Sequence, residues 1–166
     1  MKEILSKEFH RRLIEEGFAR IEKCCDILSE DEIWSSQNAN TNSVGNLVLH
    51  LTGNVRQYIQ TGLAGQADIR ERDLEFDLNS RIATKVALEK LKAVITEAHQ
   101  IVSGLPEAVL TEKRTVQGFS ETLLSIIIHV IEHFSYHVGQ ITFYTKYLKD
   151  VDTGYYKGLD LNETAD

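Results

Sequence analysis

The stretch Leu123-Leu-Ser-Ile-Ile-Ile-His129-Val-Ile-Glu-His133-Phe-Ser-Tyr-His137-Val-Gly-Gln-Ile141 carries most of what this chain discloses. Apolar residues recur at Leu123, Ile127, Val130, Phe134, Val138 and Ile141 in steps of three and four, the mark of one helix face turned toward a core. With about 100° per residue counted from Leu123, that stripe is centred near 20°. His129, His133 and His137 form a column at roughly 240°, 280° and 320° on the same scale, drifting into the stripe. His133 and His137 are therefore the more buried pair. His129 lies further out, placed to orient a ligand or line a mouth.

Two histidines four residues apart have Cβ atoms about 5–6 Å apart, so both imidazoles can reach one ion. All three in the column span ~12 Å, too far for a shared ion. A third ligand is then needed, and His50 is the best candidate. It sits beside Leu47 and Leu51, at the edge of the apolar stripe of another predicted helix. Taken singly, His50 reads as a hydrogen-bonded histidine at a core edge. Together the histidines point to one divalent metal held by His50, His133 and His137. Tyr136 and Gln140 flank the column as partners for the imidazoles' other nitrogens. Glu132 points away from the stripe and reads as a solvated carboxylate. His10 and His99 have charged or exposed-pattern neighbours and read as surface residues.

Outward from this segment, helical periodicity predicts helices over about residues 2–28, 43–63, 81–102 and 120–148. Leu5, Phe9, Leu13, Phe18, Ile21 and Leu28 mark the first. The second carries Val44, Leu47, Val48, Leu51, Val55, Tyr58 and Ile59, with Asn42 or Ser43 as its cap. The third runs through Val86, Leu91, Val94, Ile95 and Ala98, and Gly104 and Pro106 stop it. Ser29-Glu30-Asp31-Glu32 reads as a capping box opening a short turn. Residues 35–42, 66–80 and 106–119 are polar connections, and the last two suit a substrate mouth. The expected fold is all-α, a four-helix bundle with long crossover connections. One domain spans 1–166, with residues 150–166 an acidic tail.

The net charge of −7 and the scattered Lys and Arg leave no positive footprint for nucleic acid. No apolar run approaches the ~20 residues of a membrane span. The first dozen residues lack the apolar core of a signal peptide, so a cytoplasmic location is expected. Cys24 and Cys25 point roughly 100° apart on a helix, one toward the core and one toward its edge. A reactive thiol is the alternative reading of that pair.

At His129-Val-Ile-Glu-His133-Phe-Ser-Tyr-His137-Val-Gly-Gln-Ile141 and at Ser43-Val-Gly-Asn-Leu-Val-Leu-His50-Leu the chain resembles the DinB superfamily of metalloproteins. The likeness covers nearly the whole length. It implies a bundle with long crossovers and a metal on His50, His133 and His137, with His129 not a ligand. It also implies a homodimer. Characterised relatives include transferases and isomerases that use bacillithiol, mycothiol or glutathione.

The resemblance makes this chain an expected metal-dependent thiol S-transferase, with a low-molecular-weight thiol as second cofactor. The alternative is a non-catalytic metal-binding or stress-related module. No protein nucleophile, catalytic base or substrate is readable. Three imidazoles suit zinc, nickel or iron foremost, and also copper or cobalt.

Overall fold

The computed structural model describes residues 1–164, with Leu78 described by its backbone alone. Ala165 and Asp166 of the expected acidic tail lie outside the described residues. The chain is mostly helical, with one small two-stranded sheet.

Helix α1 covers residues 2–27 as α-helical Lys2–His10, a wider π-helical stretch Arg11–Phe18, and α-helical Ala19–Ile27. The short α2, Glu30–Ile33, starts as expected. Ser29 Oγ accepts from the Glu32 amide at 3.3 Å and Glu32 Oε2 accepts from the Ser29 amide at 2.8 Å. These two bonds satisfy amides that the first helical turn leaves free.

Helix α3 covers residues 44–61, as α-helical Val44–Val55 and π-helical Arg56–Thr61. Ser43 caps it by accepting from the Asn46 amide at 3.1 Å. Helix α4, Thr84–Gly104, ends just before Pro106. Helix α5, Leu123–Lys149, is capped by Thr122, whose Oγ1 accepts from the Ser125 amide at 3.1 Å. It stops where Asp150 turns left-handed at φ 49°.

Ile126 and Ile127 are β-branched, which costs a helix less than about 0.7 kcal/mol per residue. Both are buried, and burial of such a side chain contributes about 1.5–3 kcal/mol, so packing decides the conformation. The stripe residues named on α5 and on α3 are all buried. On α4 the core face runs through Ala87, Leu91, Ile95, Ala98 and Val102. Val86, expected on that face, is exposed.

Helix α1 packs on α4 and α5, and α3 packs on the same two helices. Close approach of α1 to α5 depends on Gly17: a Cβ there would stand 2.7 Å from Phe134 Cε1.

The 106–119 connection is more ordered than its composition suggests. A 3-10 turn, Glu107–Thr111, leads into β1, Lys113–Val116, paired antiparallel with β2, Phe119–Thr122. Gln117 and Gly118 take φ of 53° and 81°, the left-handed pair that a two-residue hairpin loop requires. Residues 120–122, expected as helix, therefore belong to the hairpin. Residues 66–80 hold two 3-10 turns, Arg72–Glu75 and Leu78–Ser80. Among the described residues no helix is long and apolar enough to cross a membrane.

Candidate metal centre

His50 projects from α3, and His133 and His137 from successive turns of α5, where the two helices pack together. Their Nε2 atoms converge. His133 Nε2 is 3.2 Å from His50 Nε2 and 3.2 Å from His137 Nε2. The ligand atoms of the three all lie within 4.8 Å of one another, so the group could hold a metal ion. Two ligands of a tetrahedral ion with bonds near 2.0–2.1 Å stand about 3.3 Å apart, close to these separations. His50 and His137 are buried and His133 half-buried. Among the described residues no fourth His, Cys, Asp or Glu joins the group.

The outer nitrogens are oriented by residues from other segments. Glu75 Oε2 accepts from His50 Nδ1 at 2.9 Å. Arg70 grips that carboxylate with two bonds, Nε to Oε1 at 2.7 Å and Nη2 to Oε2 at 2.8 Å. Arg70 Nη1 also donates to Gln57 Oε1 at 2.8 Å. Asn46 Nδ2 donates to the Glu75 carbonyl at 2.9 Å, which ties the turn to the start of α3. On the other side, Gln140 Oε1 accepts from His137 Nδ1 at 2.6 Å. Gly53 makes room for this arrangement, since a Cβ there would lie 2.0 Å from Glu75 Oε1.

The hydrogen bonds of the three imidazoles leave a place for a cation. Arg70 Nη2 also lies 3.2 Å from His50 Nδ1, but it donates to Glu75 Oε2 at 2.8 Å and the carboxylate is nearer to Nδ1. With Glu75 and Gln140 as acceptors there, His50 and His137 carry their protons on Nδ1 and their Nε2 atoms are bare. His133 Nε2 faces both. One N–H on it can satisfy one neighbour, leaving two lone pairs opposed at the other. A divalent cation at the common point accepts all three lone pairs and removes the conflict. His133 Nδ1, which would then hold the proton, is buried with no partner among the described residues.

The local electrostatics point the same way. Burial, and then the neighbouring His137 and His50, push His133 down to about 3. Burial lowers His137 too, against the opposing bond from Gln140. Both imidazoles are thus neutral at neutral pH, the form that ligates. Burial works to raise Glu75, but the bonds from Arg70 and His50 prevail and hold it below the usual carboxylate range.

His129 stays outside the group, packed against Tyr58 with ring centroids 4.6 Å apart and a 33° tilt, and its centroid is 5.6 Å from that of His133. It lines a cavity of about 360 Å³ that Glu121, Ser125 and the exposed Glu132 also border. Tyr136 sets its ring edge-on to His137 at 5.0 Å, while Gln140 makes the hydrogen bond. His10 and His99, read as surface residues, are half-buried, with ring centroids 4.7 Å apart and the rings tilted by 57°. His99 also bonds Ser6 and Ser103. Cys24 is fully buried beside the Tyr155 hydroxyl, and Cys25 lies at the core edge.

Arg70, Glu75 and Gly53 were not foreseen. Arg70 and Glu75 lie in the connection without periodicity, and no local pattern ties that connection to His50. It backs the histidine group through Arg70 and Glu75, while its Asp68 lines a cavity of about 450 Å³ with Arg114 and Gln117 of the hairpin. Comparison with curated proteins and with solved structures returns no match. The family model described as "Protein of unknown function (DUF1572)" matches residues 6–159, and the chain belongs to that family.

Proposed function

We propose that the chain is a DinB-like four-helix-bundle protein that holds one divalent metal ion on His50, His133 and His137 and uses it to transfer a low-molecular-weight thiol to an electrophile. The observation that carries this reading is the convergence of the three Nε2 atoms with no fourth protein donor among the described residues. Structural sites close with four ligands, whereas catalytic sites keep a position open. When bound, a divalent ion lowers the pKa of a coordinated thiol or water and supplies a nucleophile at neutral pH.

The remaining work falls to the chain's own groups. Glu75 holds the His50 proton on Nδ1, Arg70 keeps Glu75 ionised and in place, and Gln140 holds the His137 proton on Nδ1. Cys24 and Cys25 are buried and take no part. Zinc, nickel or iron suits the three imidazoles. The cytoplasmic location and the homodimer that the resemblance implies belong to the same proposal.

One observation favours the second reading, a non-catalytic or stress-related metal module. Among the described residues, the cavities of about 470 and 360 Å³ beside the group are bordered by Gln140 and His129, and none of the three ligands lines either one. Metal analysis of protein from native cells comes first. Metal-loaded protein is then mixed with glutathione or bacillithiol and a model electrophile, beside His133→Ala. Thiol consumption above the variant's background supports the transferase. Consumption at background across several thiols and electrophiles leaves the module as the reading.

A further inference from the structure

We infer that a cavity between residues 35–43 and the C-terminal half of α5 is a second small-molecule site, for a neutral, planar ligand carrying a carboxamide-like donor and acceptor. The cavity measures about 470 Å³, within the range of ligand pockets. Its floor is apolar: Val44, Leu47 and Ile141 line it and are buried. Its wall is an aromatic pair. The Phe143 and Tyr147 rings stack at 6.3 Å and 13°, yet each is more than two-thirds exposed, at 73% and 72%. Large exposed rings beside an apolar floor offer a planar ligand a stacking surface.

The rim gives the ligand class. Gln37 and Gln140 supply side-chain amides there, and Gln37 Nε2 already donates to the Tyr144 hydroxyl at 3.2 Å. Among the described residues, none that lines this cavity carries a charge. A charged ligand would lose its hydration without finding a counter-charge, whereas a carboxamide can exchange water for amide partners. A neutral aromatic amide uses both the wall and the rim.

Gln140 connects this cavity to the histidine group, because its Oε1 accepts from His137 Nδ1. A ligand whose N–H donates to Gln140 Oε1 competes for that bond, so its occupancy is felt at His137. Binding itself requires only the cavity residues and does not depend on the metal reading.

The test uses the full chain, with and without added zinc, followed by the NMR signals of its side-chain amides. Benzamide, benzoate and benzamidine serve as neutral, anionic and cationic probes of one shape. Benzamide is expected to shift the Gln37 and Gln140 amides saturably in both preparations. Benzoate and benzamidine bind at least about tenfold more weakly. Phe143→Ala and Tyr147→Ala, both at exposed positions, are expected to weaken benzamide about fivefold or more while melting like the parent. Absence of saturation, equal binding of the three probes, or unchanged affinity in both variants overturns the proposal. So does a concentration-dependent dimer, seen by sedimentation without probe, whose formation shifts the same amides and excludes benzamide. Metal content measured on the same samples judges the histidine group separately, so either reading can fail alone.

Discussion

Oε2 of Glu75 lies 2.9 Å from Nδ1 of His50, so a residue of an irregular connection sets the orientation of a helix-borne imidazole. The carboxylate cannot swing away easily, because Arg70 holds both of its oxygens.

Removing that orientation is expected to weaken metal binding without unfolding the chain. Glu75→Gln keeps the shape and loses the charge, and outer-shell changes of this kind cost about 10–100-fold in metal affinity. Gly53→Ala acts on the same contact, placing a methyl where Glu75 Oε1 now lies. Competition titration with a chromophoric chelator measures both. Parent-like affinity in both variants would mean that Glu75 does not orient His50 in solution.

The ligand set makes a sharper prediction. His50→Ala, His133→Ala and His137→Ala are each expected to abolish stoichiometric metal, while His129→Ala, outside the group, retains it. Elemental analysis of the purified variants decides. Loss of metal in His129→Ala with retention in His133→Ala would reverse the assignment of the column.

Stability of the metal-free protein should fall on mild acidification. His133 ionises near 3 in the folded chain, against 6.5 for an ordinary histidine. Between those values the unfolded chain binds a proton that the folded chain refuses, so stability rises with pH there and is lost as pH falls. His137 and His99 are lowered as well and act in the same direction. The carboxylates, with an ordinary value of 4.5 for Glu, enter only further down. Urea midpoints measured from about pH 7 to about pH 5 should therefore decline, and decline less in His133→Ala. Equal slopes for parent and variant would contradict the burial seen for His133.

The thiols should be inert in the native state. Burial, and then Cys24, push Cys25 up to about 12, and Cys24 is fully buried. A thiol-reactive disulfide reagent should find neither free cysteine within minutes in buffer and both in denaturant. A fast-reacting native thiol would reopen the reading of this pair as a reactive centre. The double Cys→Ser variant should keep any thiol-transfer activity.

Much of this arrangement was legible in the chain itself. The α5 stripe, the α3 stripe and the caps at Ser29 and Ser43 follow from spacing and side-chain type. Periodicity and capping act within a few residues. The angular drift of the histidine column also separated His129 from His133 and His137, because a helix repeats every 3.6 residues and a step of four advances the column toward the core.

What the sequence could not determine is what depends on distant segments meeting. His50 is 83 positions from His133, and only the packing of α3 on α5 brings their Nε2 atoms to 3.2 Å. Glu75 and Arg70 reach His50 because Gly53 leaves space and Asn46 ties the turn down. The 113–122 hairpin depends on a left-handed pair at Gln117 and Gly118 that no periodicity announces. The sequence by itself determined the helices and which of their faces turn inward, since those are local and repetitive. The tertiary structure alone decided which side chains complete the histidine group, since hydrogen bonds are short-ranged and their partners come from segments with no repeating pattern.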